Sequence, residues 1–266
     1  MKKFAVYSLN LALRCHHDQI MERAASLTYR VLLAFFPFLI FLVTLLGQIS
    51  VDNDAILSGL FGVLPPDIAA LVAGFLQEMG EVGGAGLMST ALFFSVYNTS
   101  NGFRAIVRIT NRAYGVEDRR SFPMQVLLSV LLMVLFSVTI IVMLGLLVFG
   151  RQIWGLFAPV ASELLFALFS GAAAIVILML LVLLIFRLAC VSYVRLGHIL
   201  PGAVFTALSW VVVSGVFGFA ISNFTQYSAI YGSIAGVFIL MLWLNIICIV
   251  LLIGNEANAV AREYWV

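Results

Sequence analysis

Residues 226–262 read QYSAIYGSIAGVFILMLWLNIICIVLLIGNEANAVAR, and this stretch decides the class of fold. From Gly232 to Asn255 it carries no formal charge, and then Glu256 follows. A run of about 20 apolar residues is long enough to cross a bilayer as a helix. In hydrocarbon a helix satisfies its own backbone polar groups. Tyr227 and Tyr231 suit a water interface at one end. Gly232 and Gly236 stand one turn apart, where a second helix can approach closely. Asn245 and Glu256 are eleven residues apart, which at about 3.6 residues per turn puts them nearly on one face. A polar line on an apolar helix needs partners from the other segments.

The other segments have the same character. Of the 266 residues, 64% are hydrophobic and 10% charged, a balance that a soluble domain of this size does not solvate. Uncharged or nearly uncharged runs predict five further spans at about 27–49, 84–103, 125–149, 164–186 and 200–224, with the sixth at 232–255. Pro37 falls inside the first span, and Pro201 suits the first turn of the fifth. Residues 3–24 read as one amphipathic helix lying along the membrane surface, with Arg14, Asp18 and Glu22 as an i, i+4 ladder. Lys2 and Lys3 are followed too soon by Arg14, His16, His17 and Asp18 for a cleaved leader, so the first span is expected to be retained. Between Ser50 and Gly83 the chain holds Asp52, Asp54, Asp67, Glu78 and Glu81 but no Lys or Arg. Apolar residues there recur at helical spacing, predicting two short amphipathic helices on the outer face. The fold class expected is all-α: a single membrane domain, a six-helix bundle with an N-terminal interfacial helix.

Orientation follows from the basic residues. Thirteen of the 14 Lys and Arg fall in segments on one side of the six spans, and Arg151 alone falls on the other. The positive-inside rule then puts both termini in the cytoplasm, in a multi-pass protein of the cytoplasmic (inner) membrane.

Three stretches carry a resemblance. Tyr231-Gly232-Ser233, the apolar run through Trp243 and Gly254-x-Glu256 form the first. Ala24-Ala25-Ser26-Leu27-Thr28-Tyr29 followed by Phe36-Pro37 is the second, and Asn111-Arg112-Ala113-Tyr114-Gly115 the third. In this order and spacing the chain resembles the YihY/virulence factor BrkB family of bacterial inner-membrane proteins over nearly its whole length. The resemblance implies a membrane protein of the cell envelope and supplies no mechanism, although such families have carried a ribonuclease label.

Catalytic signatures do not emerge. His16, His17 and His198 belong to no H-E-x-x-H arrangement, and Ser233 stands one place too early for a G-x-S-x-G nucleophile elbow. His16, His17, Asp18 and Glu22 read as a solvated helix face, so no metal is expected. Cys15, Cys190 and Cys248 match no disulfide or zinc framework. No paired carboxylate cluster or aromatic platform suggests RNA, so neither a nucleic-acid partner nor a cofactor is expected.

The unusual residues collect at the inner ends of the spans. Arg104, Arg108 and Arg112 are four apart on one stripe, which Asn98 and Asn101 continue into the membrane. Arg30, Arg187 and Glu256 are expected at about the same depth, with one of Arg30, Arg104 and Arg187 pairing Glu256. The candidate ligand-binding set is therefore Arg30, Asn98, Asn101, Arg104, Arg108, Arg187, Asn245 and Glu256. Three classes of function remain open at this point. One is a transporter or handler of an anionic lipid or other amphiphile, through a polar cavity with a cationic inner mouth. The second is a non-transporting scaffold for envelope proteins, or a homo-oligomer. The third, ranked last, is a membrane-embedded hydrolase or ribonuclease.

Overall fold

The computed structural model of the chain describes residues 2–47, 73–74, 85–157, 163–191, 194–223 and 233–264. Every regular element among these residues is a helix. They are α1 (Lys2–His17), α2 (Ile20–Gly47), α3 (Ala85–Ala113), α4 (Phe122–Phe157), α5 (Glu163–Ala189), α6 (Leu196–Asn223) and α7 (Ser233–Tyr264). The two short outer helices expected between Ser50 and Gly83 fall outside the described residues, except that Ala73 and Gly74 are helical.

The six long helices run 27 to 36 residues, about 40 Å or more at 1.5 Å per residue. Each packs on its neighbour in sequence, and α7 closes the set by packing on α2 as well as α6. α7 also touches α3, and α1 lies against α7. Segments Phe122–Leu146, Leu164–Ala189, Leu196–Ala220 and Gly236–Glu263 are long and apolar enough to cross a membrane. The outward faces of these helices are apolar, with Leu131 and Val138 on α4, Leu168 and Phe169 on α5 and Val212 and Phe219 on α6 exposed. In water such faces would be a liability; against acyl chains they are the required surface.

Several boundaries differ from expectation for local physical reasons. The amphipathic helix read over 3–24 breaks at Asp18–Gln19, and residues 20–24 open α2. Gln19 adopts φ 50°, a left-handed conformation that ends α1, and Asp18 accepts a 2.9 Å hydrogen bond from Arg23 across the turn. The expected Arg14–Asp18–Glu22 ladder is thereby dismantled. α6 begins at Leu196, so Pro201 sits inside the helix rather than in its first turn. α7 continues to Tyr264, eight residues past Glu256, so this carboxylate lies clear of the unfavourable helix C-terminus. Pro37 is carried within α2.

Small residues bring the helices together at one end. A Cβ at Gly254 would overlap the Thr206 hydroxyl and lie 2.9 Å from the Gly202 carbonyl. A Cβ at Gly202 would likewise overlap the Gly254 carbonyl and the Asn258 side chain. Glycine on both helices lets α6 and α7 touch backbone to backbone, the contact available where lipid supplies no hydrophobic drive. Gly102 plays a milder part between α2 and α3, where a Cβ would sit 3.4 Å from that of Ala34.

Candidate functional site

The ends of α2, α3, α5, α6 and α7 that meet here carry most of the described arginines and form the basic end of the bundle. Asn111 organises it from the last turn of α3. Its amide donates to Val107 O and Ala189 O, each at 2.9 Å, and its oxygen accepts the Val191 N–H at 2.7 Å. Arg120 reinforces the same corner, donating to Leu188 O at 3.3 Å and Cys190 O at 3.2 Å. Arg187 donates to Val194 O at 3.1 Å. Three side chains thus satisfy backbone groups left over where α5 ends. α3 itself ends on Gly115 at φ 64°, with the Val116 N–H returned to Asn111 O.

Two turns up α3, Arg104 donates to Asn101 and lies over the Phe122 ring, 5.4 Å from its centroid. Arg30, Arg108 and Arg112 are exposed, and none is in an ion pair among the described residues. Asn98 is half-buried. Asn245 donates to Thr28 Oγ1 at 3.2 Å, so the polar line on α7 does meet α2. The structure therefore brings Arg104 to Asn101 and Asn245 to Thr28, and sets Arg187 in a separate corner.

Glu256 is the departure. It is 2% exposed, and its Oε2 has no hydrogen-bond partner. None of Arg30, Arg104 and Arg187 pairs with it. The charges acting on it are Asp18, Arg14, Arg23 and Glu263, which come from the α1–α2 turn, α1, the first turn of α2 and the end of α7. The α7 face that carries Asn245 at one level carries Glu256 three turns later, and α1 covers it there. Tyr7 on α1 donates to Ala257 O at 2.8 Å, and Arg14 pairs with Glu263 at 3.0 Å. Burial raises the Tyr7 hydroxyl above its ordinary value. It pushes the Cys15 thiol up to about 11, with the charges of Glu256 and then Asp18 adding to the effect.

The polar cluster extends round α7. Asn258 Oδ1 accepts the Gly202 N–H at 2.7 Å, while Asn258 Nδ2, Asn255 Oδ1 and the Tyr114 hydroxyl are buried without partners. Burial lifts the Tyr114 phenol far up, Cys190 adding and Arg262 opposing, and Arg262 lies 5.9 Å from its ring centroid. Two depressions open beside the cluster. One of about 250 Å³ is lined by Asn10, Arg14, His17, Val260 and Glu263, the other of about 400 Å³ by Tyr114, Ala259, Arg262 and Glu263. Among the described residues, no group of three or more His, Cys, Asp or Glu is placed to hold a metal ion.

Sequence reading singled out Glu256 and missed its surroundings. In sequence Arg14 belongs to an i, i+4 ladder and Arg23 counts only among the basic residues of the inner side, and Asn258 has no motif. Asn111 and Tyr114 were visible only as part of a resemblance. The signal available was the density of Asn and Glu at 255, 256 and 258 on an otherwise apolar helix.

Several relatives of this chain are described as membrane proteins. The chain is 35% identical over 248 residues to the ribonuclease-like protein YfkH of Bacillus subtilis, covering 91% of this chain and 90% of that one. It is 25% identical over 246 residues to the UPF0761 membrane protein XAC0937 of Xanthomonas axonopodis, covering 89% of this chain but 56% of the relative. A UPF0761 membrane protein of Tolumonas auensis shares 40% over 83 residues, 31% of this chain and 28% of that protein. No solved structure matches. The profile of the family described as Virulence factor BrkB matches residues 11–266, from the middle of α1 through the whole helical ring. With that match and a relative aligned over nine-tenths of both chains, the protein belongs to the virulence factor BrkB family of membrane proteins.

Proposed function

We propose that this protein is a six-span protein of the bacterial cytoplasmic membrane that binds the headgroup of an anionic lipid at its basic end, as part of moving or handling envelope lipids. Both termini are cytoplasmic in this reading, α2 and α3 complete the six spans, and α1 lies at the interface. The exposed Val6, Leu9 and Leu13 on one side of α1 support that placement.

One observation carries the reading: Arg30, Arg108 and Arg112 stand exposed at one end of the bundle with no acidic partner among the described residues. Arginine recognises phosphate bidentately, and each basic residue near an anionic leaflet gains about 1 kcal/mol. The exposed Tyr29 and Phe122 beside them suit the headgroup level. Buried hydroxyls of Thr28, Thr99, Ser100, Thr110 and Thr206 supply the polar interior that a translocation route requires.

The test compares the parent with an Arg108→Gln/Arg112→Gln variant in nanodiscs. Orientation is checked first, by labelling a cysteine placed at Ser121, which is reached from the cytoplasmic side alone in both proteins. Native mass spectrometry then counts retained anionic lipid. Two lost contacts of about 1 kcal/mol each correspond to roughly 30-fold weaker retention. Equal retention rejects the headgroup site and leaves the arginines as topology signals only.

A further inference from the structure

We propose that Glu256 is a proton-exchange site roofed by α1: it holds a proton while α1 is docked on α7, and loss of that proton releases α1.

Counting the charges around Glu256 leads to this. The groups acting on it are two arginines and two other carboxylates. Arg14 is taken by Glu263 at 3.0 Å and Arg23 by Asp18 at 2.9 Å. Glu256 is left as the surplus carboxylate, 2% exposed, with Oε2 making no hydrogen bond. An unpaired buried carboxylate is expensive, and a proton from solution is the smallest ligand that removes its charge. The remaining polar neighbours do not supply a cation in its place. Cys15 and Tyr7 of α1 and Tyr114, just past the end of α3, are neutral, Arg262 lies over the Tyr114 ring, and α6 carries no ionisable side chain except His198. On α2, Arg23 is already paired, and Arg30 is exposed, away from the cluster.

The geometry also provides access and a moving part. Val260 and Glu263 follow Glu256 by four and seven residues on the same face of α7, and both line the depression of about 250 Å³ between α1 and α7. A proton enters there, passes to Glu256 and neutralises it; its return to solution restores the carboxylate. The polar ties of α1 to α7 include the Tyr7 hydroxyl on Ala257 O and the Arg14–Glu263 pair, the latter partly exposed. It is joined to α2 by the two-residue turn at Asp18–Gln19. When Glu256 is ionised between Asp18 and Glu263, lifting α1 lets water reach it and relieves the repulsion.

The experiment uses the full chain in nanodiscs, parent against Glu256→Gln. Infrared difference spectra between roughly pH 5 and pH 9 single out a carboxyl that titrates above the ordinary range, because ordinary carboxyls, with values of about 4, are largely ionised throughout. The parent is expected to show the carbonyl stretch of a neutral carboxylic acid at the acid end, lost at the alkaline end, and Glu256→Gln is expected to lack it. Hydrogen exchange of α1 amides, compared at equal pH so that intrinsic rates cancel, should be the same in both proteins at the acid end. At the alkaline end it should be about tenfold faster in the parent, a difference of about 1.4 kcal/mol in the opening equilibrium. Glu256→Asp keeps a carboxyl and must shift the band, so the test stands even where Glu256→Gln does not fold. The same band in Glu256→Gln, or an exchange ratio independent of pH, overturns the proposal. Slowing of α1 exchange by sodium chloride but not by choline chloride at the alkaline end would assign the site to sodium and overturn it equally.

Discussion

α5 and α7 are equally apolar and occupy opposite positions in the bundle. Their spanning segments have mean hydropathies of 3.0 and 2.9, yet 17% of the first and 39% of the second is buried inside the protein. α5 packs between α4 and α6, with Leu164, Leu168, Phe169 and Leu180 exposed. α7 packs on α6, α2, α3 and α1. Hydropathy measures fitness for a bilayer, and lipid satisfies an apolar face as well as another helix does. What draws a helix to the centre is the residue that lipid cannot satisfy. α7 has Asn245, Asn255, Glu256 and Asn258, together with Gly254; between Glu163 and Arg187 the only polar side chain of α5 is that of Ser170.

The contrast can be broken most directly at the glycines. Gly254→Leu drives a side chain into the Thr206 hydroxyl and the Gly202 backbone. Overpacking a rigid contact usually costs about 1–3 kcal/mol, and here both partners are backbone-close, so a loss of about 3 kcal/mol or more is expected. Failure to recover monodisperse protein in detergent, or a large fall in melting temperature, is the measurement. Gly171→Leu on α5, where a Cβ meets nothing within 4 Å, is the matched control and should leave melting unchanged.

A second test sharpens the comparison at the basic end. Asn111→Ala removes three hydrogen bonds and leaves the buried Ala189 carbonyl and the Val191 N–H without that partner. An unsatisfied buried group costs about 1–3 kcal/mol, so thermal melting should report a loss of about 2 kcal/mol. Amide exchange should speed up at residues 189–191 before it does on α7. Uniform acceleration across the molecule would show that Asn111 supports the whole bundle rather than one corner.

The smallest effect is expected on the outer face of α5. Leu168 is exposed, and Leu168→Ala should change stability by less than about 0.5 kcal/mol, because no cavity is created inside the protein. A loss of the size seen for core leucines would mean that this face is covered by another protein surface in the membrane, and the comparison between α5 and α7 would no longer hold.

The sequence reading located the helices well where charges or glycine end them and poorly where a tertiary tie does. The starts of α4 and α5 lie within three residues of the expected spans, because Arg119–Arg120 and Glu163 mark them. Gln19 carries no turn signature, so the break between α1 and α2 was invisible. It is stabilised by the Arg23–Asp18 pair, which forms only once the chain has folded back on itself. The spacing of Gly232 and Gly236 suggests a close approach by a second helix, and Gly232 lies outside the described residues. The backbone contact described here lies at Gly202 and Gly254, two glycines on different helices that no spacing rule connects.

By itself, the sequence determines that this chain is helical and made for a bilayer, since composition and the length of uncharged runs are properties of single segments that water and lipid judge one at a time. It also identifies Asn245 and Glu256 as residues that need partners, because their cost in hydrocarbon does not depend on the fold. Which partners they receive is decided by tertiary structure alone. Asn245 obtains Thr28, and Glu256 is covered by α1 instead of paired with an arginine from another span. The physical reason is that pairing depends on the rotation and depth of each helix in the ring. Those are set by the close contact of glycine with glycine and by the clip of Asn111 across to the end of α5, neither of which a single segment contains.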